Sequence, residues 1–381
     1  MRLTRREVLL AAAAPAFAKP TAVRPPNILL IIADDVGAWM LGCYGNREIR
    51  TPNIDLLARS GTRFLFHFGC ASAGTSSRTA LLTGRLPHQQ TAQDPTITEV
   101  LGSAGYSCGS GNALDFLDSQ KGDRPFFLLV SYSNLFAPGA QIAAKYQEMY
   151  AKTSFDTIGW EPAAPNAARN KDALASIVPN IRRSAAAMTG LDDLIQPLVA
   201  KLNQQGVRDN TLIVFTSGSG SLLGRHGLWG NGAATDPANM YEEVIATPMI
   251  WNWRGKVPVE GARPELASVY DFLPTVCELT GAALPRDRNL PGRSYLPAIL
   301  NQPFPKKAPW RNLVFGEMGE VEMARDTRYK LVLRSQGKGP GQLFDERVDP
   351  REKINQFDNP AFVSMRDRLT AEIAAWRKKY A

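Results

Sequence analysis

Arg78 and the residues around it carry the densest chemistry in the chain. Residues 70–85 read Cys-Ala-Ser-Ala-Gly-Thr-Ser-Ser-Arg-Thr-Ala-Leu-Leu-Thr-Gly-Arg, small and hydroxylated side chains running into the apolar pattern of a helix. The hydroxyls of Thr75, Ser76 and Ser77, the N–H groups of a helix start and the Arg78 guanidinium make a donor set suited to one oxyanion. A second group lies upstream, where Asp34 and Asp35 follow the aliphatic run Asn27 to Ala33. Carboxylates at the C-terminal end of a parallel strand sit where open α/β sheets bind ligands, and hard cations take oxygen ligands. Read alone, the pair is equally an acidic turn. Acid–base chemistry has few candidates, because the histidines are only three: His67, His88 and His226.

These groups need a scaffold, and the pattern of apolar runs supplies one. Asn27 to Ala33, Pro125 to Ser131 and Thr211 to Ser217 are continuous hydrophobic runs, as expected of strands covered on both faces of a parallel sheet. Thr51-Pro52 to Gly61 reads as a helix with its cap, its first-turn proline and its closing glycine. Thr62 to Phe68 predicts a strand leading into the Arg78 run, and Thr96 to Gly105 a short helix. Met188 to Gln204 carries Leu191, Leu194, Ile195, Leu198, Val199 and Leu202 at helical spacing. Residues 140–185, rich in Ala, Asn and Pro, predict a cover over one sheet edge. After Arg311, short strands at Leu313 to Phe315, Tyr329 to Leu333 and Gln342 to Asp345 precede a last helix from about Phe362 to Tyr380.

The first residues predict an export signal. Arg5-Arg6 precede Val8-Leu9-Leu10 and an alanine run, and Ala16-Phe17-Ala18 fits a cleavage site. Thr4 to Leu9 is similar to a twin-arginine signal, with an ordinary secretory signal as the other reading. A periplasmic or secreted protein follows. No later apolar run reaches the ~18 residues that span a bilayer. With 381 residues, a net charge of +8 and a pI near 9.3, the chain favours anionic partners. The charge is spread out, without a basic block, which argues against nucleic acid. Cys43, Cys70, Cys108 and Cys277 form no CxxC pair, which argues against a zinc knuckle.

Residues 70–85 resemble the sulfatase signature: Cys or Ser, any residue, Pro-Ser-Arg, three residues, Leu-Thr-Gly. Ser77, Arg78, Leu82, Thr83 and Gly84 match in place. Asn27 to Asp35, Leu223 to Gly232 and Tyr241-Glu242-Glu243 extend the likeness across roughly residues 25–375. The resemblance implies an α/β fold with a large mixed, mostly parallel sheet flanked by helices, alkaline-phosphatase-like, and a small C-terminal α+β part. The expected division is a signal at 1–18, a core at 25–300 and a C-terminal sheet and helix at 311–381.

The same resemblance exposes departures. The residue that becomes formylglycine in the family falls on Gly74, so no formylglycine is expected. The family's calcium ligands map to Asp34 and Asp35, but its third carboxylate falls on Gly218 and the next ligand on Ser219. A family Lys falls on Asn231, and a Pro-His pair on Leu135-Phe136. A Gly-Lys-Trp-His motif aligns with Gly109-Ser110-Gly111-Asn112, or is deleted. Arg78 remains as the anion clamp, with Ser76, Ser77 and His226 as candidate substrate contacts. Calcium is thus implied with an incomplete ligand set. The expectation is a sulfatase-like chain that binds sulfated or otherwise anionic saccharides without ordinary sulfatase chemistry. The alternative is a sulfate- or phosphate-ester hydrolase with a hydroxyl nucleophile, for which Thr75 is the candidate.

Overall fold

The computed structural model describes residues 24–137, 140–285, 289–334 and 339–381. The export-signal expectation lies outside these residues.

Seven strands form the main sheet. They are β1 (Asn27–Ala33), β2 (Thr62–Phe68), β3 (Ser107–Ser110), β4 (Phe126–Tyr132), β5 (Thr211–Thr216), β6 (Met249–Asn252) and β7 (Gly261–Ser268). Their order is β3-β4-β1-β5-β6-β2-β7. β1 pairs in parallel with β4 and β5, and β2 with β7, while β6 is antiparallel to both β5 and β2. The expected mixed, mostly parallel sheet is present.

β1 explains why the central strands read as unbroken apolar runs. Alternate side chains of a strand point to opposite faces. Leu29 and Ile31 join one core with Ile213 and Phe215, while Ile28, Leu30 and Ile32 join another with Leu212 and Val214. Every residue of β1 is buried. With helices on both faces, both registers from Ile28 to Ala33 are apolar, and Asn27 at the strand's start is hydrogen-bonded to Thr211 and the Phe126 N–H.

A second, antiparallel sheet contains β8 (Val314–Met318), β9 (Val321–Arg325), β10 (Tyr329–Arg334) and β11 (Gln342–Asp345) in the order β11-β10-β9-β8. Leu331 faces Leu369 and Ile373 of the last helix, Val363–Tyr380, and Val332 faces Phe68 and Ile245 of the main body. Buried Lys330 forms ion pairs with Glu242 (3.3 Å) and Glu352, and Arg325 pairs with Glu242 at 3.0 Å. Charge and packing together join the two sheets.

Met188 to Gln204 is not one helix. Ile177–Asp193 and Ile195–Gln204 are separate, meeting at Leu194, which is 48% exposed. Pro197 explains the break. It lacks the N–H that would bond to the Asp193 carbonyl, and its ring crowds that carbonyl. The helical stripe therefore loses Leu194. All four cysteines are unpaired thiols.

Candidate functional site

Three chain segments converge at one edge of the main sheet because β1, β2 and β5 all end there. β1 delivers Asp34 and Asp35, and its neighbour β5 delivers Gly218 and Ser219. β2 runs on into the helix Gly74–Thr83, which Gly84 closes in the left-handed region at φ +71°. Sequence separations of 44 residues (Asp34 to Arg78) and 184 residues (Asp35 to Ser219) thus collapse into contact.

Arg78 Nη1 lies 3.1 Å from Asp34 Oδ2 in a half-buried ion pair. Burial pushes the Asp34 carboxyl above its ordinary range, the Arg78 charge opposes this, and the Asp35 charge adds to it. Asp35 Oδ1 accepts from Ser219 Oγ at 3.0 Å and from Asn231 Nδ2 at 3.1 Å. Burial also raises the Asp35 carboxyl, against the pull of those two hydrogen bonds. The amide of Asn231 is oriented by its other end, since its Oδ1 accepts from the Ala233 N–H at 3.1 Å.

Gly74 stands directly beside this group. A Cβ there would lie 3.2 Å from Ser219 Oγ and 3.8 Å from Asp35 Oδ1. A side chain at position 74 would therefore reach the acids, and glycine sends none. Gly218 is closed instead of open. A Cβ there would come within 2.7 Å of the Gly74 carbonyl oxygen and 3.1 Å of the Arg78 nitrogen. The start of the Arg78 helix lies on the place a third carboxylate would need.

These contacts decide whether calcium fits. Calcium takes 6–8 oxygens. Asp34 commits one oxygen to Arg78, and Asp35 turns one toward two hydrogen-bond donors that a cation would repel. That leaves two carboxylate oxygens, Asp34 Oδ1, buried without a hydrogen-bond partner, and Asp35 Oδ2, far short of six. Gly218 has no room for a ligand. The residues present do not fit a calcium site.

The other candidates separate. Thr75 is exposed on the outer side of the helix start, and its carbonyl is what enters a hydrogen bond, accepting from Thr79 Oγ1 at 3.0 Å. Ser77 is fully buried, its Oγ 3.2 Å from the Cys70 backbone N–H, so it faces the core and not a ligand. One residue along a helix turns a side chain by ~100°, which is why neighbours here face opposite environments. The Ser76 carbonyl accepts from Gln90. Asn112 caps the helix Ala113–Ser119, accepting from Asp115 N–H.

His226, expected as a substrate contact, is engaged by its neighbours. Its backbone is left-handed (φ +56°), and its ring stacks on Tyr241 at 3.7 Å. Nε2 lies 3.1 Å from Glu243 Oε2, and Arg225 pairs with the same carboxylate. Burial opposes the Glu243 charge, but His226 and Arg225 prevail and hold its carboxyl down at about 2. His226 belongs to this buried ionic knot.

Beside Asp35 opens a cleft of about 780 Å³. It is lined by Asp35, Asn231 and Trp229, by Leu135 and Phe136, and by residues between Arg169 and Ser184. That last stretch was legible only as a cover over a sheet edge. Its signal was slight, Arg169 and Arg183 set in an Ala-, Asn- and Pro-rich stretch.

Comparisons with known proteins bear on the family and the fold. A family model described as Sulfatase matches residues 26–109 and 111–282, and one described as N-sulphoglucosamine sulphohydrolase, C-terminal, matches residues 230–379. Arylsulfatase A of Homo sapiens is similar at 29% identity over 432 residues, covering 87% of this chain and 83% of that protein. A protein solved with its substrate D-glucosamine-2-N,6-O-disulfate shares the fold at a TM-score of 0.79 and 20% identity, covering 94% of this chain and 98% of its own. The phosphonate monoester hydrolase of Agrobacterium radiobacter does so at 0.73 and 16%, covering 93% and 96%.

Proposed function

The chain belongs to the sulfatase family, and from that membership we propose that it is an exported binder of sulfated or otherwise acidic saccharides that does not cleave their esters. The observation that carries this reading is Gly74. Ester cleavage in this fold needs a nucleophile beside the acids, and the residue whose side chain would stand 3.8 Å from Asp35 Oδ1 is a glycine. Asn231 occupies the place of a cationic clamp and donates to Asp35 instead. Thr75, the remaining hydroxyl candidate, is exposed, and among the described residues no base is hydrogen-bonded to its hydroxyl.

Binding is a different matter, because the cleft remains open and lined with amides, aromatics and guanidinium groups. Its volume falls within the roughly 300–1,000 Å³ of small-molecule sites. The similar protein solved with D-glucosamine-2-N,6-O-disulfate supports the chemical class. The basic net charge favours an anion, and Arg5-Arg6 support export by the twin-arginine route. No helix among the described residues is long and apolar enough to cross a membrane.

The test is turnover and binding on one preparation of the mature protein. 4-Nitrophenyl sulfate and a phenylphosphonate monoester are assayed with and without calcium, and D-glucosamine-2-N,6-O-disulfate is titrated calorimetrically. Saturable binding without hydrolysis above background is expected. Hydrolysis that disappears in Thr75→Ala would establish the hydroxyl-nucleophile enzyme in its place.

A further inference from the structure

Three arginines stand near the acids, and they are not equivalent. Arg78 is engaged with Asp34. Arg169 and Arg183 line the cleft, and among the described residues neither has an ion-pair partner. We propose that these two form the anion-recognising wall of the cleft, taking a sulfate or carboxylate group borne by a saccharide that lies over Asn231 and Trp229. The inference rests on the saccharide-binding reading above and deepens it by assigning the anion to Arg169 and Arg183 and not to the Arg78 helix.

The wall is built, not loose. Ala168 N–H donates to the Ala234 carbonyl at 2.8 Å, Ala167 bridges Thr235, and Asn170 Nδ2 donates to the Trp229 carbonyl at 3.3 Å. The backbone before exposed Arg169 and the side chain of Asn170 after it are thus fastened to the loop that carries Asn231. Arg183, on the helix Ile177–Asp193, is half-buried and donates one Nη2 hydrogen bond to the Ala140 carbonyl. A guanidinium anchored by one nitrogen keeps its other N–H groups directed, and its planar fork matches sulfate and carboxylate oxygens. Fixing the wall before binding lowers the ordering cost that binding must meet.

The lining also explains why the ligand is a saccharide and not a bare anion. At ~30 Å³ per water, the cleft holds roughly two dozen waters, so an inorganic sulfate would leave most of it unfilled. Asn134, Asn180 and Asp172 share the lining with the two arginines. Amides both donate and accept, and a carboxylate accepts, which suits the hydroxyls of a sugar ring. Asp172 and Asp35 add two negative charges to the cleft, so its cations read a group placed against them and do not form a general anion sink.

The experiment compares wild type, Arg169→Ala, Arg169→Ala/Arg183→Ala and Arg78→Ala by calorimetry at low and physiological salt. The probes are D-glucosamine-2-N,6-O-disulfate, N-acetylglucosamine and sodium sulfate. Wild type is expected to bind the disulfate at least tenfold more tightly than the other two, with affinity falling as salt rises. The double variant is expected to lose at least tenfold, and Arg169→Ala alone at least threefold. Among the described residues the exposed Arg169 side chain makes no hydrogen bond or ion pair, so the single variant reads binding even if the double variant folds poorly. Disulfate binding that survives in Arg169→Ala and the double variant but vanishes in Arg78→Ala overturns this inference and leaves the saccharide reading standing. No binding of the disulfate by wild type overturns both.

Discussion

Asn231 donates a 3.1 Å hydrogen bond to Asp35 while its own carbonyl accepts from the Ala233 N–H. That pair of bonds fixes which end of the amide faces the acid. With Ser219 on the same Asp35 oxygen and Arg78 on Asp34, neutral donors and one guanidinium compensate two carboxylates.

Calcium should therefore find no site. Calorimetric titration of calcium into the mature protein is expected to give no saturable heat, and the Asp34→Ala/Asp35→Ala variant should behave identically. Saturable binding that the double variant loses would mean that the acids gather further ligands.

Restoring the carboxylate at Gly218 should cost stability before it restores anything. Any side chain there meets the Gly74 carbonyl at 2.7 Å, and overpacking against backbone costs about 1–3 kcal/mol. Gly218→Asp is expected to lower the urea midpoint accordingly. An unchanged midpoint would show that the start of the Arg78 helix yields freely.

Stability should fall in acid partly through His67. This ring is buried with its Nδ1 2.8 Å from Thr247 Oγ1, and burial lowers its pKa to about 3 from an ordinary 6.5. Between those values the unfolded chain binds a proton that the folded chain does not. Stability therefore rises with pH across that window, by at most ~1.4 kcal/mol per pH unit for one proton. His67→Asn should flatten the profile relative to wild type between pH 6.5 and 4. Parallel profiles would mean that the folded protein also admits the proton.

Lys330 should be costly to neutralise. It is fully buried against Glu242 and Glu352, with Glu346 3.9 Å away. Opposing its burial, the surrounding carboxylates raise its pKa above the usual lysine range. Lys330→Met keeps the length but strands those carboxylates, and breaking a buried pair this way costs about 3–5 kcal/mol. Chemical denaturation at pH 7 should read that loss; less than 1 kcal/mol would mean that the carboxylates take up protons in compensation.

What the sequence determined by itself was whatever repeats locally. The aliphatic run of β1 marks a strand buried on both faces because both side-chain registers are apolar, and β4 and β5 were legible in the same way. Ser77-Arg78 and Leu82-Thr83-Gly84 carried the family likeness, since such a motif is a short contiguous string. Tertiary structure alone decided the chemistry of the site. Nothing local says that Gly218 lies on the Gly74 carbonyl, 144 residues away in the chain, or that Asn231 turns its amide toward Asp35. Ser77 and Thr75 look alike in sequence, but the rotation of a helix start sends one to the core and the other to solvent. His226 sits in a loop that matches the family, and one left-handed residue aims its ring at Glu243. Arg169 reaches the cleft because Ala168 and Asn170 bond to the Trp229–Ala234 loop, and Arg183 because its helix packs beside it and the Ala140 carbonyl anchors its guanidinium. Strings of residues set which elements form; the contacts made when distant segments close set which groups are spent and which are free.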